Sequence, residues 1–328
     1  MRAARLHAVG DLRVTEEPEP RSEPGTSLVR VTAVGICGSD LHWWDEGAIG
    51  DATLSHPLVL GHEGAGVIAD GPRAGQRVAI DPAIPDETCR ACRDGYRNLC
   101  YHIRFSGHGD TDGMMQEVMA WPTRLLHPLP DSLTDADGAL LEPLGVAVHS
   151  VDLGHLPLAG TASVIGCGPI GLLLVALLKA GGASSVLAVE PLEYRRRAAI
   201  SMGADQVCGP AADLGDAGVD VAFEAAGNDE AVRLAMASVR PGGRVVLAGI
   251  PGDDTISFGA AGARRKGLTI AMVRRMNEVY PRAIGLAERG VVDLGALVTS
   301  RHGLADIARA FMDGARRTGL KALVEPQK

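Results

Sequence analysis

The stretch ASVIGCGPIGLLLVALLKAGG, residues 162–182, changes character at its glycines. ASVIG reads as a buried strand and PIGLLLVALLKAG as a helix. Gly166, Gly168 and Gly171 stand between and just inside them as G-x-G-x-x-G. Alone the pattern is weak, but a strand before it and a helix after it supply the context that it needs. The first glycine permits a tight turn, the second lets a pyrophosphate approach the backbone, and the third lets the helix pack close to the sheet. The helix N-terminus then faces the phosphates. Gly166, Gly168, Pro169, Ile170 and Gly171 are therefore the candidate dinucleotide-binding turn. An acid is expected at the end of the next strand, and SVLAVE ends on Glu190. Its carboxylate would accept both ribose hydroxyls and repel a 2′-phosphate, which favours NAD over NADP. Arg195 either lies along the adenine or forms, with Arg196 and Arg197, a solvated helix face. Arginines that reached a phosphate would admit NADP. The competing reading of the glycines is an ordinary strand-to-helix turn.

Outward from this stretch, strands and helices alternate: LEYRRRAAISMGA, VDVAFEAAG, DEAVRLAMASVR, GRVVLAG and GLTIAMV. Such alternation implies a parallel sheet with helices on both faces. Residues 149–272 are expected to form this doubly wound domain. Residues 1–148 differ in texture. They are rich in Gly, Pro and short β-like runs such as SLVRVTAV and QRVAI, and fit an irregular β-rich domain. From residue 273, NEVYPRAIGLAERG and LADIARAFMDGARR have helical apolar spacing.

The 328 residues suit two domains, and an apolar content of 46% is enough for real cores. Net charge is −8, with Lys and Arg scattered, so a nucleic-acid partner is not expected. The opening MRAARLHAVGDLRV has no apolar segment of the kind that secretory leaders carry. The longest apolar run, in residues 169–180, is too short to span a bilayer. A soluble cytoplasmic protein with no membrane partner is expected. Such chains rarely use disulfides. Cys167 and Cys208 read as fillers of small buried spaces.

Two further segments carry metal chemistry. GICGSDLHWW (residues 35–44) and GHEGAG (61–66) contribute Cys37, His62 and Glu63: a thiolate, an imidazole and a carboxylate, all suited to zinc. Asp40 is placed to accept the free N–H of His62 and fix its tautomer. DPAIPDETCRACRDGYRNLC (81–100) holds Cys89, Cys92 and Cys100, one thiol short of a four-cysteine site.

GICGSD, GHE, the cysteine lobe and GCGPIG occur in the order found in the zinc-dependent medium-chain alcohol dehydrogenases, and the chain resembles that family over essentially its whole length. Glu63 directly after His62, and EPLGVAVH at 142–149, are similar to its polyol branch: sorbitol, xylitol, L-idonate and threonine dehydrogenases. The resemblance implies an α/β protein, a GroES-like β-rich catalytic domain (1–148 and 273–328) plus a Rossmann domain (149–272), assembled as a homodimer or homotetramer. It implies that Cys37, His62 and Glu63 bind a catalytic zinc, with Glu142 holding the zinc-bound water or entering the shell. Ser39 and His42 match a proton relay, and Arg274 a substrate-contacting arginine, the alternative being a surface charge beside Arg275. Trp43 and Phe105 are expected as pocket walls, or equally as ordinary packing. Family lobes read C-x2-C-x2-C-x7-C, and counting back three from Cys89 reaches Asp86. The implied second, structural zinc is held by Asp86, Cys89, Cys92 and Cys100, with Glu87 one residue out of register. An empty lobe of three reduced thiols is the alternative. VIADGPRAGQRVAI is shorter than the family's loop, and Gln76 replaces its acid. The activity implied is oxidation of a secondary hydroxyl of a small polyol-like substrate to a ketone, with zinc as Lewis acid and hydride passing to NAD. A zinc-free reductase of the same superfamily and a non-catalytic NAD-binding protein remain alternatives.

Overall fold

The computed structural model describes all residues except 212, 213, 215–217 and 253. It divides into two units: Met1–Glu142 with Tyr280–Lys328, and Pro143–Val279.

The first unit is organised on the strand Thr26–Gly35. TSLVRVTAVG alternates apolar and polar residues, so that Val29, Val31 and Ala33 point into buried surroundings. On one side the sheet continues through Glu63–Ile68, Arg77–Ile80 and Leu126–Pro128, and on the other through Lys321–Glu325 and Val298–Gly303. The segment Val118–Pro122 also pairs with Thr26–Gly35. The expected β-like runs SLVRVTAV and QRVAI thus belong to one sheet, with Glu63–Ile68 between them. The core packs Val29, Val34, Leu60, Ile80 and Trp121 with Phe311, which comes from the helix Ile307–Ala315.

The second unit is a six-stranded parallel sheet. Its order is Gln206–Cys208, Ser185–Val189, Thr161–Ile165, Val219–Glu224, Val239–Leu247, Thr269–Met272. Numbered along the chain this is 3-2-1-4-5-6, the doubly wound order whose direction reverses beside the first strand. The helix Pro169–Ala180 leaves that strand's carboxyl end and is buried along Gly171 to Leu178, as its all-apolar sequence requires. Asn228 caps the helix Asp229–Ser238 by accepting from the Ala231 N–H. No helix among the described residues is long and apolar enough to cross a membrane.

Some elements of the second unit carry no sequence signal. Gln206–Cys208 is too short to show alternation, and Ala260–Lys266 has no buried residue from which an apolar stripe could be read. The helix Asp135–Gly154 contains Pro143, begins in the first unit and ends in the second.

Tyr280 opens the C-terminal return of the first unit. Its hydroxyl donates to the Ile80 carbonyl at 3.0 Å, and its ring stacks on His127 at 4.5 Å. Tyr280→Phe keeps the stack and removes one buried hydrogen bond. A loss of about 1 kcal/mol is expected, read as a fall of roughly 2–4 °C in the melting temperature of this unit.

Candidate active site

Cys37 sits at the start of the helix Gly38–Glu46, and His62 and Glu63 at the start of the strand Glu63–Ile68. Asp40, fully buried, ties the two segments together. Its Oδ2 accepts from the Cys37 N–H at 2.9 Å, and its Oδ1 accepts from the Gly61 N–H at 3.1 Å. His62 Nδ1 lies 3.4 Å from Asp40 Oδ1, while Nε2 lies 3.4 Å from Ser39 Oγ. The histidine therefore has Nδ1 toward the Asp40 carboxylate and Nε2 toward Ser39. Donor atoms of Cys37, His62 and Glu63 all lie within 4.8 Å of one another. Burial alone would lower the His62 pKa. Asp40 and Cys37 instead raise it well above the usual range, so the position attracts positive charge. Soft, borderline and hard donors converging there fit zinc.

Glu142 is buried but is not part of that three-residue cluster. Burial pushes its pKa up to about 7, with His62 opposing and Glu63 adding to the rise. The Phe105 ring lies 5.3 Å from the His62 ring. Trp43 is buried in the core, edge-on to His108. His42 Nδ1 pairs with Glu46 at 3.0 Å. Arg274 is exposed in the second unit, just beyond the strand Thr269–Met272.

One residue at this site went unnoticed in the sequence. Lys321 is buried and donates to both Glu63 carboxylate oxygens, at 2.8 and 2.7 Å, and to the Ile36 carbonyl at 2.9 Å. Its sequence signal is a lysine that opens the apolar strand KALVE.

Among the described residues, the other group able to hold a metal is Asp86, Cys89, Cys92 and Cys100, again with donor atoms within 4.8 Å. Asp86 Oδ1 accepts from the Thr88 and Cys89 N–H groups at 2.8 and 2.9 Å, and His102 Nδ1 lies 2.6 Å from Oδ2. The Cys89 N–H and then His102 hold the Asp86 carboxyl well below the usual range, so it is an anion facing three thiols. Cys89 and Cys100 sulfurs are 3.9 Å apart. Glu87 turns away to Arg124, at 3.1 Å. His102 also escaped the sequence reading, because it bears on the lobe only through Asp86.

In the second unit, Gly166 has φ 93° and Gly171 packs against it. A methyl on Gly171 would lie 1.9 Å from the Gly166 carbonyl oxygen, whereas one on Gly168 would meet nothing nearer than Arg195 at 3.8 Å. The space over Gly168 is the open cradle that a pyrophosphate needs. Glu190 is buried at the end of Ser185–Val189. Its Oε2 accepts from the Cys167 N–H at 2.8 Å and its Oε1 from the Leu192 N–H at 3.0 Å. Arg195 Nε donates to the Tyr194 hydroxyl at 3.0 Å. Arg196 donates to the Glu190 and Pro191 carbonyls, and Arg197 pairs with Glu193. The three arginines therefore have separate local tasks, rather than forming a single solvated face.

Residues 23–131 match the alcohol dehydrogenase GroES-like domain, and residues 169–289 match the zinc-binding dehydrogenase domain. The sorbitol dehydrogenase of Bacillus subtilis is 33% identical, over 100% of this chain and 98% of its own. The chain belongs to the zinc-dependent medium-chain alcohol dehydrogenases, in their polyol branch. The structure of L-idonate 5-dehydrogenase from Escherichia coli superposes with a TM-score of 0.93 at 26% identity, covering 99% of this chain and 97% of that one. A putative zinc-binding dehydrogenase from Sinorhizobium meliloti, bound to NADP, superposes at 0.91 with 29% identity and 99% of both chains covered. The dehydrogenase is thus an α/β oxidoreductase of GroES-like and Rossmann domains.

The two glycines make separable predictions. Gly168→Ala should leave the melting temperature unchanged and weaken NADH binding, measured by fluorescence titration. Gly171→Ala should lower both, because its methyl strikes backbone.

Proposed function

We propose that the dehydrogenase oxidises a secondary hydroxyl of a polyol, or of a related sugar acid, to a ketone with NAD⁺. The observation that carries this reading is the convergence of half-buried Cys37 with buried His62 and Glu63 beside Ser39. The names of its relatives, sorbitol dehydrogenase and L-idonate 5-dehydrogenase, support a substrate with several hydroxyls. Cys37, His62 and Glu63 would hold a zinc ion, which would supply Lewis acidity toward the substrate hydroxyl, and the Gly166–Gly171 turn with Glu190 would hold the NAD that would supply the hydride acceptor.

The chain's own residues do the rest. Asp40 holds His62 in the tautomer whose Nε2 is free to ligate. Ser39 Oγ, beside Nε2, would accept the hydroxyl proton as it gives its own to the cofactor ribose, from which it reaches His42 or solvent. His42 lies three residues on along the same helix and, bonded to Glu46, passes it to solvent. Phe105 packs against the His62 ring and shields it from water. Glu142 provides a further buried carboxyl for a hydroxylated substrate. Glu190 favours NAD⁺, since its anchored carboxylate still has lone pairs for the ribose hydroxyls and would repel a 2′-phosphate. A second reading, use of NADP⁺, is favoured by the NADP-bound relative and by Arg195 beside Gly168.

The test is a panel of sorbitol, xylitol, L-idonate, threonine and butanediol, run with each cofactor and followed by NAD(P)H absorbance. Turnover with NAD⁺ far above NADP⁺ is expected. Comparable efficiency with both would overturn the cofactor assignment. Cys37→Ser should abolish turnover while NADH binding survives, because the two chemistries use different residues.

The lobe is proposed to hold a second, structural zinc on Asp86, Cys89, Cys92 and Cys100. Four protein donors leave no open position for substrate. Metal analysis should find two zinc ions per chain, falling to one in Asp86→Ala. That variant should melt earlier yet turn over normally at moderate temperature, because the metal stabilises the folded form without touching substrate.

A further inference from the structure

Glu63, Gly35 and Leu323 stand opposite one another on three adjacent strands, Glu63–Ile68, Thr26–Gly35 and Lys321–Glu325. Lys321, two residues from Leu323, is on the same face of its strand. The Glu63 carboxylate reaches Lys321 across the central strand, and it passes over Gly35, where a methyl would lie 2.1 Å from Oε2. A side chain at residue 35 would close this route.

Glu63 is 1% exposed and Lys321 4%. A charge buried that deeply needs an opposite charge and filled hydrogen bonds. Lys321 has both: its three ammonium hydrogens are matched by two Glu63 oxygens and the Ile36 carbonyl. With its hydrogen bonds filled it has no spare proton contact with which to act as a relay. Held against both Glu63 oxygens, at 2.8 and 2.7 Å, the ammonium is one half of a buried ion pair. A cation thus sits against a metal-ligand candidate, beside the place where a dication would go.

We propose that Lys321 is a positioning residue of the catalytic metal site: it stands in for the metal's charge on Glu63, keeping the ligand set built without metal, and it loosens the hold on the metal once bound. The inference rests on the reading of Cys37, His62 and Glu63 as that site. Its two effects have opposite signs. Without Lys321, the metal-free protein is left with an uncompensated buried carboxylate and loses stability. In the loaded protein, Glu63 is no longer shared and the nearest repelling cation is gone, so zinc is held more tightly. A residue that merely packed would move both forms in the same direction.

The experiment compares wild type and Lys321→Met, each zinc-loaded and chelator-stripped. It records melting temperatures and the rate of zinc release to a chelating dye. The release phase missing from Cys37→Ser identifies this site and separates it from the lobe. The expected result is a wider melting gap between loaded and stripped forms in Lys321→Met, through a lower stripped value, with this zinc leaving about tenfold or more slowly, as removal of a unit charge a few ångströms away implies. Equal falls in both forms, or faster release, would overturn the proposal. If Lys321→Met does not fold, Lys321→Met/Glu63→Gln should restore the stripped protein, since it removes both charges together. Failure to restore it also overturns the proposal. A wild type with no zinc phase sensitive to Cys37→Ser would instead refute the metal site itself, and the inference with it.

Discussion

Three carboxylates lie buried in the first unit around His62, and the site is the way the fold satisfies them. Asp40, with no exposed surface, takes backbone N–H groups from Cys37 and Gly61 and faces the His62 ring. Glu63 takes a lysine from the far end of the chain. For Glu142 burial prevails over the nearby His62 and Lys321, and its pKa rises to about 7. Removing one partner from an arrangement like this costs more than the arrangement contributes as a whole, because a buried charge is left alone. The ligand geometry is therefore coupled to the sheet that carries it.

The two groups able to hold a metal differ in donor number and surroundings. Around His62 the donors are three, and the neighbouring hydroxyl of Ser39 offers proton transfer. In the lobe the donors are four, and Asp86 is fixed by two backbone N–H groups and His102. An open position suits reaction and a closed one suits structure. The aspartate that replaces a thiol keeps the negative charge, and the turn of backbone that it caps presents it to the sulfurs.

Much of the second unit was legible because its signals are local. A strand, a G-x-G-x-x-G turn and an apolar helix are contiguous, and Gly171 answers a contact with Gly166, five residues before it. Cys37, His62 and Glu63 were legible by donor type and by family order, although 25 residues separate Cys37 from His62. Gln206–Cys208 was not, since three residues cannot display a period. Trp43 was open to two readings from its sequence, pocket wall or packing, and the structure buries it in the core.

What the sequence determined by itself was the class of chemistry: turn glycines, donor types and an acid at a strand end are short-range requirements of backbone and ligand. What tertiary structure decided was how each charge is compensated. Lys321 reaches Glu63 from 258 positions along the chain, and Tyr280 reaches Ile80 from 200. No periodicity records such pairs. They exist because burial removes water, and a group that loses water takes whatever partner the sheet brings beside it.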